Sequence, residues 1–196
     1  MSWNYDLDLD NAADIFIALE DSKRRVILDT IRKSEKLTEK SLPSVPEIKE
    51  LSLSPKGLER QLQLLEKGKL IKPYQEKGVP FYSIDNRGES ADTCYYGTID
   101  MILPLLNVSD TSEMQREQML RTRFKILKFL NYDENGKTLE EIERTLGIPG
   151  SQLKNHLKQI KGVAYNKKTE KYDVTSKPEI IPEKLCWSFF LKAIYG

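Results

Sequence analysis

The sequence predicts a mainly helical chain of the α+β class, built from two tandem copies of one small unit, each closed by a β-hairpin. Charged residues make up 31% and apolar residues 39%. Average domains hold about 25% and 45–50%, so the balance favours small helical units with wet faces over one bulky core. Helical apolar spacing at Arg24-Arg-Val-Ile-Leu28-Asp-Thr-Ile31 returns 99 residues later as Arg123-Phe-Lys-Ile-Leu127-Lys-Phe-Leu130. The residues after each segment repeat as well. Ile48-Lys-Glu-Leu51, a turn and Leu58-Glu-Arg-Gln-Leu62 correspond to Ile142-Glu-Arg-Thr-Leu146, a turn and Leu153-Lys-Asn-His-Leu157. Register kept through several elements argues for one supersecondary unit used twice.

Each copy reads helix, short helix, tight turn, longer helix, hairpin. Asp21-Ser22 offers an N-cap, and Thr138 with Glu141 has the spacing of a capping box. Pro46 and Pro149 suit first-turn positions, where a missing N–H costs nothing. Ser52-Leu-Ser54 and Gly147-Ile-Pro149 mark the turns, leading into longer helices at Pro55–Lys67 and 151–161. On these, Leu58, Leu62 and Leu65, and Leu153, Leu157 and Ile160, recur at i, i+4, i+7 and face inward. Weakly alternating segments at 70–74 with 79–84, and 163–165 with 172–174, read as hairpins. Residues 34–44 read as a loop that makes the first copy longer. The organisation expected is 1–90, a connector at 91–111 open to helix, and 112–196 ending in a C-terminal helix with a wide apolar face.

The net charge of +1 hides an uneven distribution. Residues 91–111 carry three acids and no base, whereas residues 112–196 hold 16 bases against 11 acids. The excess peaks between Ser151 and Lys171, where six lysines face only Glu170. The first ten residues are acidic where a secretory signal would be basic and then apolar. The most apolar run, Ile99 to Leu106, contains Asp100 and Pro104 and is too short to span a bilayer. Cys94 and Cys186 form no CxxC or CxC pattern, so two free thiols in a reducing compartment are expected. These features predict a cytoplasmic protein without a membrane segment.

Several spaced elements of the first copy resemble a known family. Ala18-Leu19, then Arg24-Arg-Val-Ile-Leu28, Ile48…Leu51, the run Leu58-Glu-Arg-Gln-Leu62-Gln-Leu-Leu65-Glu-Lys-Gly-Lys-Leu70 and Tyr82-Ser together resemble an ArsR-type winged helix-turn-helix over residues 12–90. The second copy, about 112–175, looks like a more degenerate winged helix that lacks the Glu-x-Gly-x-Leu exit. The tandem is similar to archaeal multi-winged-helix regulators. It departs from the metal-sensing members, whose Cys-x-Cys or paired His/Asp ligands have no counterpart beside one His and two isolated Cys. No metal and no cofactor are expected.

The resemblance implies a protein that reads double-stranded DNA at promoters by laying the longer helix of each unit in the major groove. In the first unit the outward face would present Lys56, Arg60, Gln61 and Gln63, with Lys77 at the wing tip. Arg60 suits guanine, and Gln61 or Gln63 adenine. In the second unit the corresponding set is Ser151, Gln152, Lys154, Asn155 and Lys158, with Lys167 and Lys168 on the wing. Asn155 and Gln152 are candidate adenine readers there, with Lys154 and Lys158 as backbone or guanine contacts. His156 reads as a boundary residue of the helix. Candidate homodimer surfaces are Ala12–Leu19, the 94–106 segment and the C-terminal helix. Contacts to the transcription machinery are a further expectation. The alternative is a tandem protein-interaction module of a basal transcription or chromosome-associated complex. An enzyme is the weakest class, since no catalytic triad, phosphate-binding glycine loop or paired metal ligands are present.

Overall fold

The computed structural model describes residues 9–34, 37–38, 40–85, 93–108, 112–131 and 135–174. The predicted C-terminal helix, with Cys186 and Trp187, lies outside these residues. The chain is mainly helical with small antiparallel sheets, as the α+β expectation had it. The order is α1 (Leu9–Glu20), α2 (Ser22–Lys33), β1 (Leu37–Thr38), α3 (Pro46–Glu50), α4 (Pro55–Lys67), β2 (Ile71–Glu76) and β3 (Val79–Ile84). There follow α5 (Thr93–Leu106), α6 (Glu113–Asn131), α7 (Leu139–Leu146), α8 (Gly150–Gln159), β4 (Val163–Asn166) and β5 (Lys171–Val174). From α1 to β3 and again from α5 to β5, two helices precede a short extended contact, two more helices and a hairpin.

The chain divides into two compact units, and the division falls inside the leading helices α1 and α5. Asp14–Ile99 makes up the first unit, and residues 9–13 with 100–174 the second. The segment expected as a connector open to helix holds α5, whose residues up to Ile99 belong to the first unit and those from Asp100 to the second. Each leading helix ends on an arginine. In the first unit, Arg24 Nε and Nη2 donate to the carbonyls of Ala18 and Ile17 at 3.0 and 2.8 Å, and Arg25 Nε to that of Leu19 at 2.6 Å. In the second, Arg123 Nη1 donates to the carbonyls of Leu106 and Asn107 at 2.7 and 2.5 Å. The last turn of a helix has carbonyls with no partner within it, and a cation there also suits the helix dipole.

Local signals explain the remaining helices. The Asp21 carboxylate accepts from the Lys23 N–H, so α2 begins on its expected cap, and Ser54, read from sequence as part of a turn, also caps α4, its Oγ accepting from the Gly57 N–H. Pro46 stands in the first turn of α3, while Pro149 is one residue earlier than expected, as the N-cap of α8. Thr138 and Glu141 form the full capping box on α7, and accepting the Thr138 N–H holds the Glu141 carboxyl below its usual range. Thr138→Ala is expected to lower stability by about 1 kcal/mol, read as an earlier urea midpoint with unchanged slope. At the other end of α7, Gly147 takes φ +64 and its N–H donates to the Glu143 carbonyl.

The β elements are small. Lys77 and Gly78 both have positive φ (51° and 78°), the pair needed for a two-residue hairpin turn of type I′. That turn sets the register Tyr74↔Phe81 in the first hairpin. The second pairs Tyr165 with Tyr172 and has a four-residue loop, in which the Asn166 side chain accepts from the Lys168 and Thr169 N–H groups. The loop expected at 34–44 contains β1, which pairs Leu37 with Tyr82 and Thr38 with Phe81. Lys137 makes the equivalent bridge to Tyr172. Two residues, or one, carry no alternation to be read from sequence.

The core residues of α4 and α8 are those the spacing predicts: Leu58, Leu62, Leu65, Leu153, Leu157 and Ile160 are all buried. Ala12, Ala13 and Ile15–Leu19 are buried too. These residues belong to the segment expected as one candidate dimer surface. No described helix is long and apolar enough to cross a membrane.

Candidate nucleic-acid interface

The outer edges of α4 and α8 carry the side chains singled out by sequence. On α4, Lys56 and Gln63 are exposed and Arg60 is half-buried. Gln63 Nε2 donates to Glu59 Oε1 at 3.3 Å, which ties its amide to a neighbour on the same helix. Gln61 is a correction. It is 7% exposed and its Oε1 accepts from Arg24 Nη1 at 2.7 Å, so it faces inward and is no base reader. Its position, one residue before the inward Leu62, lies at the margin of the apolar stripe. The buried arginine draws it in, because a desolvated guanidinium must have its donors satisfied.

On α8, Ser151, Gln152, Lys154, Asn155 and Lys158 are all exposed, as expected. Lys154 and Lys158 stand one turn apart on α8, and Lys161 is exposed just past the extended C-cap Ile160. Lys167 and Lys168 are exposed in the loop between β4 and β5, and Lys77 is exposed at the tip of the first hairpin. Next to these lysines is an aromatic pair, Tyr165 and Tyr172, with ring centroids 4.9 Å apart and Tyr165 half exposed. The first hairpin has the matching pair Tyr74 and Phe81 at 5.4 Å.

Behind each outer edge lies a residue whose role the sequence pattern did not single out. Arg24, 3% exposed, joins the carbonyl end of α1 to Gln61 on α4 and also pairs with Glu20 at 2.9 Å and Asp21 at 3.7 Å. Arg123, 1% exposed, joins the carbonyl end of α5 to Gln159 on α8. Both arginines open the repeated apolar motif, so their 99-residue correspondence was visible. Their burial was not, since an arginine ordinarily faces solvent. Each sets its longer helix against the end of the leading helix. Burial lowers the Arg123 pKa from its usual value.

His156 occupies the α8 position that corresponds to Gln61, and it is half-buried at the boundary, as expected. Burial, then the Arg123 charge, holds its imidazole below the ordinary 6.5. In the unfolded chain the ring takes up a proton near its ordinary value, and the folded chain resists that. Its stabilising contribution is therefore complete above about pH 6.5 and is lost as pH falls through the lower folded value. Melting temperature should decline between about pH 7.5 and 5, and His156→Gln should flatten that decline; an unchanged slope would remove His156 from the account.

Among the described residues no group of three or more His, Cys, Asp or Glu side chains could hold a metal ion. The predicted free thiols are not placed by the structure: the Cys94 side chain and all of Cys186 lie outside what is described. No family model matches this chain, and no curated protein sequence matches it.

Proposed function

We propose that the chain is a sequence-specific, double-stranded DNA-binding transcriptional regulator whose two repeats are tandem winged helix-turn-helix units. One observation carries the reading. In each repeat a helix with a buried inner stripe and a polar outer edge follows a short helix and a turn, and a hairpin with cationic residues comes next. Such a helix fits the major groove while neighbouring elements grip phosphates. In the second unit, Gln152 and Asn155 present amides suited to adenine, and Lys154, Lys158, Lys167 and Lys168 suit the backbone. In the first, Arg60 suits guanine and Lys56 and Lys77 the backbone. Each well-placed bidentate pair contributes about 1–3 kcal/mol of base discrimination.

Selection of bound sequences from a random duplex pool tests the proposal. Enrichment of a defined motif, protected in footprinting at moderate salt, is the expected result; a pool that stays random after repeated rounds rules it out. A protein-interaction module is the second reading, favoured by the exposed Glu59 on the outer edge of α4. Charge reversal at Lys154 and Lys158 separates the two. Loss of DNA binding supports the regulator, and loss of a protein partner with DNA binding intact supports the module.

A further inference from the structure

Aligning the buried leucines of α4 and α8 brings their outer edges into register. Leu58, Leu62 and Leu65 correspond to Leu153, Leu157 and Ile160, all buried, with a constant offset of 95. At that offset the lysines of α8 and its end meet their counterparts. Lys154 corresponds to Glu59, Lys158 to Gln63 and Lys161 to Glu66. The three positions are cationic in the second unit, two of them on α8 and one just past its end; in the first they are anionic at two and neutral at the third.

Ion pairs occur in both units, Arg121–Glu117 and Lys125–Asp10 among those of the second, so the contrast concerns the cations around α4 and α8. In the first, Lys67 pairs with Asp14 at 3.3 Å and Lys72 with Asp85 at 3.9 Å, and buried Arg24 is balanced by Glu20 and Asp21. In the second, Lys154, Lys158, Lys161, Lys167 and Lys168 have no carboxylate partner among the described residues. Buried Arg123 is held there by two carbonyls and the Gln159 amide, with no acid among the described residues and its Nε without a hydrogen-bond partner. Exposed cations close in sequence and without carboxylate partners lack the internal counter-charge that would make them an inert surface, and a polyanion supplies it from outside.

We infer that the two units are not equivalent: the second unit, through Lys154 and Lys158 on α8, Lys161 just past its end and the loop lysines Lys167 and Lys168, holds the phosphate backbone of duplex DNA and supplies most of the affinity. The first unit, with Glu59 and Glu66 on the matching edge, adds little salt-dependent attraction. This rests on the DNA-binding reading above and goes beyond it by assigning the affinity to one unit.

The test uses the full chain and a fluorescent random-sequence duplex of about 30 base pairs, with binding followed by anisotropy across a salt series. Three variants are compared with the parent, each checked for an unchanged circular dichroism spectrum: Lys154→Gln/Lys158→Gln/Lys161→Gln, Lys56→Gln/Arg60→Gln/Lys77→Gln, and Glu59→Gln/Glu66→Gln. Each phosphate contact contributes about 0.9 to the slope of log K against log salt, so the first variant should lower that slope by about 2–3 and weaken binding about 10–100-fold near physiological salt. The second variant should weaken binding less than about fivefold, and the third should strengthen it or leave it within about threefold. Equal losses in the first two variants, or a larger loss in the second, overturn the assignment while leaving DNA binding itself intact. A parent chain with no salt-dependent binding overturns the DNA reading and the assignment together.

Discussion

Arg24→Met is expected to destabilise the chain by about 3–5 kcal/mol, because it breaks a buried ion pair and leaves its acid behind. Glu20 is only 7% exposed in its side chain and meets Arg24 at 2.9 Å. Without the guanidinium, that carboxylate stays desolvated, and the carbonyls of Ile17 and Ala18 and Gln61 Oε1 lose their donor. Methionine fills much of the same volume, so the loss reports charge and hydrogen bonding more than a cavity. Arg123→Met provides the internal control. It too frees two carbonyls and an amide, but strands no carboxylate among the described residues, so a loss of about 1–3 kcal/mol is expected there. Urea denaturation of both variants decides the point. Equal losses would mean that the stranded carboxylate contributes little.

Gly68→Val is expected to cost about 3 kcal/mol through overpacking alone. The backbone of Gly68 has φ −71° and ψ −4°, which any L-residue can adopt. What excludes a side chain is proximity. A Cβ there would lie 2.9 Å from the Ala18 Cβ and 3.4 Å from the Asp14 carbonyl oxygen, so the exit of α4 runs directly against α1. The smaller change Gly68→Ala should be destabilising too, and Ala18→Gly combined with it should recover part of the loss. Rescue by that second substitution, read from urea midpoints, distinguishes a local clash from a general dislike of side chains after the helix. At Gly78 the situation is the reverse: φ is +78° and nothing lies within 4 Å of a Cβ. Substitution there acts through backbone strain.

These two sites show which parts of the molecule a sequence can reveal. The Leu-Leu-Glu-Lys-Gly-Lys-Leu run was legible as a motif, and the close approach of Gly68 to Ala18 gives its glycine a physical cause. The inward residues of α4 and α8 and the caps at Asp21 and Thr138 were legible because each depends on spacing within a few residues. Gln61 was misread because its direction depends on a partner 37 positions away. Helical spacing alone leaves a residue at the margin of an apolar stripe free to face either way. Strand β1 and the Lys137 bridge were missed for want of length. The connector was read as a segment of its own because no apolar period announces that Leu106 and Asn107 close on Arg123. The lysines of α8 and its following loop were legible as a charge cluster. Their lack of acidic partners became apparent only with the ion pairs of the first unit beside them.

The split leading helices bear on how the chain can be cut. Although the sequence reads as two domains in series, α1 and α5 each contribute residues to both compact units, so no peptide bond between the repeats frees one of them whole. A fragment starting at residue 112 keeps Arg123 but discards the Leu106 and Asn107 carbonyls on which its guanidinium rests. A fragment ending at residue 90 keeps Asp29 and Arg25 but loses Tyr96, whose hydroxyl donates to Asp29 at 3.1 Å and whose ring lies 5.0 Å from the Arg25 guanidinium. Burial and the Asp29 charge push the pKa of that hydroxyl up to about 12, which keeps it a proton donor throughout the physiological range. A fragment cut at residue 90 or 112 is therefore expected to melt below the intact chain, because each cut removes partners that belong to the same compact unit.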